Sequence, residues 1–129
     1  MKIPMHSLVA CALSAVALPA LSADALTQGQ LDAAGRVFVG TASCDANQTV
    51  TLTAVDGKPG YFKVQHKKAV YNMVTQETST GAVRLEDAKA GVVWLQIPAK
   101  SMLMNAKLGQ RVADACKTPE QDAAKPAAS

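Results

Sequence analysis

The sequence predicts an all-β fold, a small antiparallel β-barrel of about seven to eight short strands closed by one disulfide. Three observations predict it. Polar and apolar residues alternate with a period of two along much of the chain. Turn-forming residues recur between the alternating segments, and Cys44 and Cys116 lie near the two ends of the patterned region. Regular short strands joined by tight turns favour a meander that closes on itself, since closure removes exposed strand edges.

The alternation delimits eight strands. It is clearest where threonines occupy every second position from Thr49 to Thr53 with apolar residues between them. Pro98 lacks the backbone N–H that a paired strand needs, so the sixth strand should stop or bulge there. Turn-forming sequences separate the strands at 56–60, 67–68, 79–81, 86–91 and 105–109. The predicted strands are residues 36–43, 47–55, 60–66, 69–75, 82–86, 91–97, 101–105 and 109–115.

The first 23 residues have the features of an export signal peptide. Lys2 precedes an apolar run over residues 7–18, and small residues end the segment at Ala23. A helix of this run would span about 18 Å, short of a hydrocarbon core of about 30 Å, so release is favoured over a membrane anchor. Lipoprotein processing at Cys11 is the less favoured alternative, because too few residues precede it. We therefore expect a periplasmic or secreted protein with no integral membrane segment after processing.

The exported chain is predicted to hold one domain, residues 36–117, between two loosely structured ends. Loss of Lys2 reduces the basic residues from 13 to 12 against 10 acidic ones, a net charge of +2. Residues 24–35 predict a flexible segment with at most a loose helical turn, because Gly29 weakens a helix. Residues 118–129 have no large apolar residue, which predicts a disordered tail.

Cys44 and Cys116 are the cysteines that remain after cleavage, and in an oxidising compartment we expect them to pair. Their bond would close a loop of about 70 residues and contribute roughly 4 kcal/mol to a small domain. Two buried, unlinked cysteines are the alternative. Zinc commonly needs three or four ligands, and residues 24–129 contain one histidine, His66, and no closely spaced cysteines. We predict no metal and no cofactor.

The sequence does not predict an enzyme. His66 alternates within a strand beside Lys67, a pattern typical of a surface histidine. Ser43, Ser79 and Ser101 lack the local signature of an activated nucleophile. The small net charge and the predicted export argue against nucleic-acid binding. A protein-binding domain of the cell envelope is therefore the favoured class.

The segment 92–104 is unusually apolar and is predicted to lie mostly in the core. Outward-facing Trp94, Met102 or Met104 would instead form a partner surface, because Trp and Met are enriched at interfaces.

A resemblance to a known family is consistent with a binding role. Cys44 is followed by the threonine-rich strand, the sequence Glu-Thr-Ser-Thr-Gly-Ala at 77–82, the strand Gly-Val-Val-Trp at 91–94, and finally Cys116. This order resembles the bacterial inhibitors of c-type lysozyme, in their periplasmic and membrane-bound forms, over about residues 36–117. The resemblance implies a disulfide-bonded antiparallel β-barrel that inhibits by inserting a loop into the lysozyme cleft.

The resemblance also implies which residues contact the partner. In the family's Ser-Gly-x-x-Tyr loop, the serine corresponds to Thr80, the glycine to Gly81, and the tyrosine to Arg84 or Leu85. The family's Thr-Lys-Gly segment falls on residues 95–97, where lysine is absent. The expected partner-binding residues are Ser79, Thr80, Gly81, Ala82, Arg84 and, as the nearest cation to the second segment, Lys100.

Two functions are open at this point. In the first, the loop around Thr80 occludes the cleft of a c-type lysozyme by hydrogen bonding to its two catalytic carboxylates. In the second, the barrel binds another envelope protein, a wall component or a small apolar ligand in the barrel mouth, and residues 79–81 are an ordinary turn.

Overall fold

The computed structural model describes residues 25–123, in which eight antiparallel strands form one sheet, each paired with the next in sequence. Two short helices flank it, α1 (Gln28–Ala34) and α2 (Pro119–Ala123). The predicted meander is confirmed, and all strand ends except the first agree with prediction to within two residues. The strands are β1 (Gly40–Ser43), β2 (Thr49–Ala54), β3 (Tyr61–His66), β4 (Ala69–Gln76), β5 (Val83–Asp87), β6 (Val92–Gln96), β7 (Ser101–Asn105) and β8 (Gln110–Cys116).

The sheet curls into a nearly closed barrel, and its first and last strands meet at a short seam formed by residues 43–44 and 116–117. Ser43 and Lys117 exchange two backbone hydrogen bonds of 2.9 Å each. The neighbouring pair is the disulfide between Cys44 and Cys116, whose Cα atoms lie 3.9 Å apart. The predicted disulfide is therefore confirmed, and it joins the two edges of the sheet where they meet.

The barrel interior is filled by side chains from the inward faces of the strands. Trp94 of β6 is fully buried and lies opposite Leu85 of β5 and Leu103 of β7, which are also fully buried. Met102 and Met104 are half-buried. Trp94 is therefore a core residue. Other core side chains are those of Val50, Leu52, Phe62, Val64, Met73, Val83, Val92 and Ala113.

The first strand begins at Gly40 and not at residue 36. The Gln96 side chain accepts a hydrogen bond from the Phe38 N–H (2.9 Å) and donates one to the Arg36 carbonyl (2.7 Å). These bonds satisfy the backbone of this segment from β6, so it does not pair with β2. Pairing starts only at Gly40, whose φ of +112° favours glycine.

Residues 28–34 form a capped helix where only a loose turn was predicted. The Thr27 hydroxyl accepts from the Gln30 N–H (3.1 Å), and the Gln30 side chain accepts from the Thr27 N–H (2.8 Å). Gln30 also donates to the Thr75 carbonyl of β4 at 3.0 Å, and Ala33 is buried. The helix is therefore attached to the barrel. None of the helices within residues 25–123 is long and apolar enough to cross a membrane.

The predicted disordered tail needs correction over residues 118–123, because Thr118 and Gln121 are buried. The Gln121 amide donates to the Ile97 carbonyl and to Ser101 Oγ, both at 2.9 Å, and accepts from the Thr118 N–H at 3.0 Å. Hydrogen bonds hold this segment where apolar contacts could not. The rest of the predicted tail and the predicted signal peptide lie outside the described residues.

His66 is buried, which corrects its prediction as a surface residue. It lies at the end of β3 on the core-facing side, and its Nε2 is 2.8 Å from Gln48 Oε1. Burial, with a smaller contribution from the charge of Lys67, lowers the pKa of His66.

Replacing both cysteines measures what the seam disulfide contributes. We expect Cys44→Ser/Cys116→Ser to lose about 2–5 kcal/mol of unfolding free energy, because the bond restricts the unfolded chain over a separation of 72 residues. Urea denaturation followed by tryptophan fluorescence measures the loss. Reduction of the wild-type protein should produce a similar loss. An unchanged midpoint in both experiments would contradict a stabilising role.

The burial of His66 predicts a pH-dependent stability. Because the fold favours neutral imidazole, its contribution is complete above the unfolded pKa of about 6.5 and is lost as the pH falls below it. Wild type should therefore lose unfolding free energy between about pH 7 and pH 5, and His66→Gln should lose less. Denaturation at each pH tests this, with an NMR titration of His66 as a check. A pKa at or above the unperturbed value would refute the expectation.

Candidate partner-binding loop

The candidate site lies at the end of the barrel where residues 77–82 connect β4 to β5. Gln96 at the end of β6 pairs with Val83 at the start of β5 and with Ser101 at the start of β7. The 77–82 loop and the turn at residues 97–100 are therefore neighbours at the same end of the barrel.

Hydrogen bonds within the 77–82 loop define its shape. Thr78 Oγ1 donates to the Ala82 carbonyl at 2.6 Å, and the Ala82 N–H donates to Thr80 Oγ1 at 3.4 Å. Gly81 has a φ of +81°, which a residue with a side chain rarely adopts. Ser79, Thr80 and Gly81 are exposed. The loop thus presents a hydroxyl-bearing tip on a base closed by Thr78 and Ala82.

Arg36, in the segment between α1 and β1, contacts the loop from the side. Its Nη1 donates to the Gly81 carbonyl at 3.1 Å, while its own carbonyl accepts from the Gln96 side chain. One series of hydrogen bonds therefore connects the loop, the N-terminal segment and β6. The sequence did not reveal the roles of Arg36 and Thr78. The contact between Arg36 and Gly81 spans 45 residues, and no local pattern signals it.

The structure brings together four of the six predicted partner-binding residues, Ser79 through Ala82, in this one loop. Arg84 follows on the outer face of β5, where its Nε lies 3.5 Å from Glu86 Oε2. Lys100 lies in the neighbouring turn and its backbone carbonyl accepts from the Ile97 N–H. Both cations are therefore at the loop end of the barrel but outside the loop itself.

Lys100 interacts electrostatically with Asp114 of β8. The pKa of the Asp114 carboxyl is lowered first by the backbone N–H of Ala115, then by Arg111, whose guanidinium lies 2.8 Å away, and by Lys100. Arg84 likewise has Glu86 as an ionic neighbour. Both cations are half-buried, and neither donates a hydrogen bond to the loop within residues 25–123.

The chemistry offered by the loop is hydrogen bonding. Its tip combines the hydroxyls of Ser79 and Thr80 with exposed backbone at Gly81. Within residues 25–123, no group of three or more His, Cys, Asp or Glu side chains is arranged to hold a metal ion. The arrangement is suited to inserting a short polar tip into a concave surface.

Comparison of the chain with protein-family models, curated proteins and solved structures found no match. The resemblance to lysozyme inhibitors therefore rests on the order of motifs in the sequence.

Two threonine substitutions separate the base of the loop from its tip. We expect Thr78→Val to lower the unfolding free energy by about 1 kcal/mol, because the Ala82 carbonyl loses a 2.6 Å hydrogen bond. Thr80→Ala should change it by less than about 0.5 kcal/mol, since its hydroxyl is exposed. Urea denaturation measures both. Equal losses of unfolding free energy would show that the Thr80 hydroxyl stabilises the fold as much as the Thr78 hydroxyl does.

Proposed function

We propose that this protein is an exported binding protein that inserts the 77–82 loop into the cleft of a partner, and that the partner is a c-type lysozyme. The observation that carries the proposal is the exposed tip, held from within by Thr78 and from the side by Arg36. Because the loop is held before binding, less conformational entropy is lost on association.

The chemistry of the tip fits a cleft that contains carboxylates. Thr80 Oγ1 accepts weakly from the Ala82 N–H, so its proton is available for donation to a carboxylate oxygen. Gly81 has no side chain, which allows the backbone to approach the cleft wall. Glycoside hydrolysis by lysozyme uses two carboxyl groups, and a hydrogen-bonded plug between them would exclude the substrate.

The charges of this protein can attract a c-type lysozyme only at short range. The predicted exported chain has a net charge of +2, which gives no long-range attraction to a cationic lysozyme. Glu77 is exposed in the loop, whereas Glu86 and Asp87 lie toward the opposite end of β5, where Asp87 pairs with Val92 at the start of β6. Glu77 adds one negative charge to the loop, and Arg84 and Lys100 are placed to contact acidic groups near the cleft rim.

Export is proposed on the signal-like first 23 residues together with the disulfide at the seam. Disulfides persist in oxidising compartments such as the periplasm and the extracellular space, so the Cys44–Cys116 bond is compatible with this location.

The alternative is an envelope barrel that does not inhibit lysozyme and binds another protein, a wall component or a small apolar ligand. An apolar cleft beside the loop favours a small apolar ligand among these alternatives.

A lysis assay tests the lysozyme proposal. The exported protein at micromolar concentration should slow the clearing of a bacterial cell-wall suspension by c-type lysozyme. Thr80→Ala should weaken inhibition about 10- to 150-fold, the equivalent of one hydrogen bond to a charged group, and Thr80→Trp should weaken it further by steric conflict.

The matched control is Thr49→Ala, an exposed threonine near the opposite end of the barrel, which should inhibit like the wild type. Melting temperatures of all three variants should stay near the wild-type value. Failure of the wild-type protein to slow lysis would contradict the lysozyme proposal. If Thr49→Ala and Thr80→Ala weakened inhibition equally, the 77–82 loop would not be the inhibitory site.

A further inference from the structure

A cleft of about 300 Å³ opens at the loop end of the barrel, between the 77–82 loop, the segment before β1 and the turn after β6. This volume is at the lower limit of cavities that hold small molecules, about 300–1,000 Å³. Its apolar lining comes from Phe38, Val83, Ile97 and Pro98.

Ile97 is unusually exposed for a large apolar side chain, at 44% of its surface. Val39, which follows the lining residue Phe38, is 48% exposed. These are two of the four large apolar residues with such exposure among residues 25–123. Of these, Ile97 lines the cleft, and its exposure indicates apolar surface that a ligand could cover.

Gln96 is the buried polar side chain among the residues that line the cleft. Both functional atoms of the Gln96 side chain are engaged, since Oε1 accepts from the Phe38 N–H and Nε2 donates to the Arg36 carbonyl. The Gln96 amide is therefore held by the backbone of residues 36–38, and apart from Arg36 the other lining side chains are apolar. The inner part of the cleft suits a hydrocarbon.

The rim carries a single charge. Arg36 is the only ionisable residue among the described residues that line the cleft. Its side chain donates one hydrogen bond within residues 25–123, from Nη1 to the Gly81 carbonyl. The edge formed by Nε and Nη2 can therefore still bind a carboxylate through two parallel hydrogen bonds.

We propose that this cleft binds a medium-chain aliphatic carboxylate, with its hydrocarbon chain against Phe38, Val83 and Ile97 and its carboxylate on Arg36. The positive charge of Arg36 at the rim favours an anion, and the apolar lining favours a hydrocarbon body. The site lies at the barrel mouth, where small ligands of β-barrels commonly bind. The cleft shares Arg36 and Gly81 with the candidate loop but does not involve the hydroxyl of Thr80, so octanoate binding and lysozyme inhibition are measured separately.

The test uses octanoate and the wild-type protein. A ¹H–¹⁵N NMR titration should give a dissociation constant on the order of 0.1–1 mM, as expected for a ligand of this size. The largest shifts should fall on Arg36, Gly81, Val83 and Ile97. Butyrate and hexanoate should bind more weakly, by up to about fourfold for each methylene removed.

Two comparisons isolate the charge at the rim. In the wild-type protein, 1-octanol should bind about 10- to 100-fold more weakly than octanoate, because it lacks the carboxylate. Arg36→Met keeps the apolar stem but removes the guanidinium, and it should weaken octanoate binding by a similar factor. Lys63→Met, which removes an exposed cation from β3 outside the cleft, should bind octanoate like the wild type.

The proposal is overturned if octanoate at about ten times the expected dissociation constant produces no shifts, or if the shifts fall outside the cleft. It is equally overturned if octanol binds as tightly as octanoate. The octanol comparison needs no variant, so it holds even if Arg36→Met does not fold.

Discussion

The structure depends on the seam where residues 43–44 meet residues 116–117. Two backbone hydrogen bonds join Ser43 of β1 to Lys117, and one disulfide joins Cys44 to Cys116, the last residue of β8. A sheet of eight strands in sequential order would otherwise have two open edges. Joining these edges encloses a barrel interior, which the side chains of Trp94 and its neighbours fill. In a chain this short, where surface outweighs interior, one covalent bond at the seam restricts the whole barrel.

Glutamine side chains attach the remaining segments to the barrel. Gln30 of α1 donates to β4, Gln96 of β6 holds the backbone before β1, and Gln121 of α2 donates to the turn after β6 and to β7. Gln96 and Gln121 are themselves buried, and their partnered amides avoid the cost of unsatisfied polar groups. Through Gln96, this network also positions Arg36, which contacts the candidate loop at Gly81.

The strands and the disulfide could be predicted because their signals are local or follow from composition. Alternation with a period of two locates seven strands closely, and two cysteines in the predicted exported chain leave one pairing. The features that were predicted wrongly have a common cause, which is not local in the sequence. The backbone before β1, the buried segment at Thr118 and the burial of His66 all depend on amide side chains, and Gln48 lies 18 residues from His66. The turn chemistry located the candidate loop, but nothing near Arg36 in the sequence shows that it contacts Gly81, 45 residues away.

The candidate loop and the cleft share Arg36, so the geometry of this end of the barrel depends on the closure of the sheet. Native-state amide hydrogen exchange at Ser43 and Lys117 tests that closure most directly, because both N–H groups donate across the seam. We expect their protection to approach that of Trp94 in the core, as for amides that open only with the whole domain. Rapid exchange at both amides, at the rate of a frayed strand edge, would contradict it.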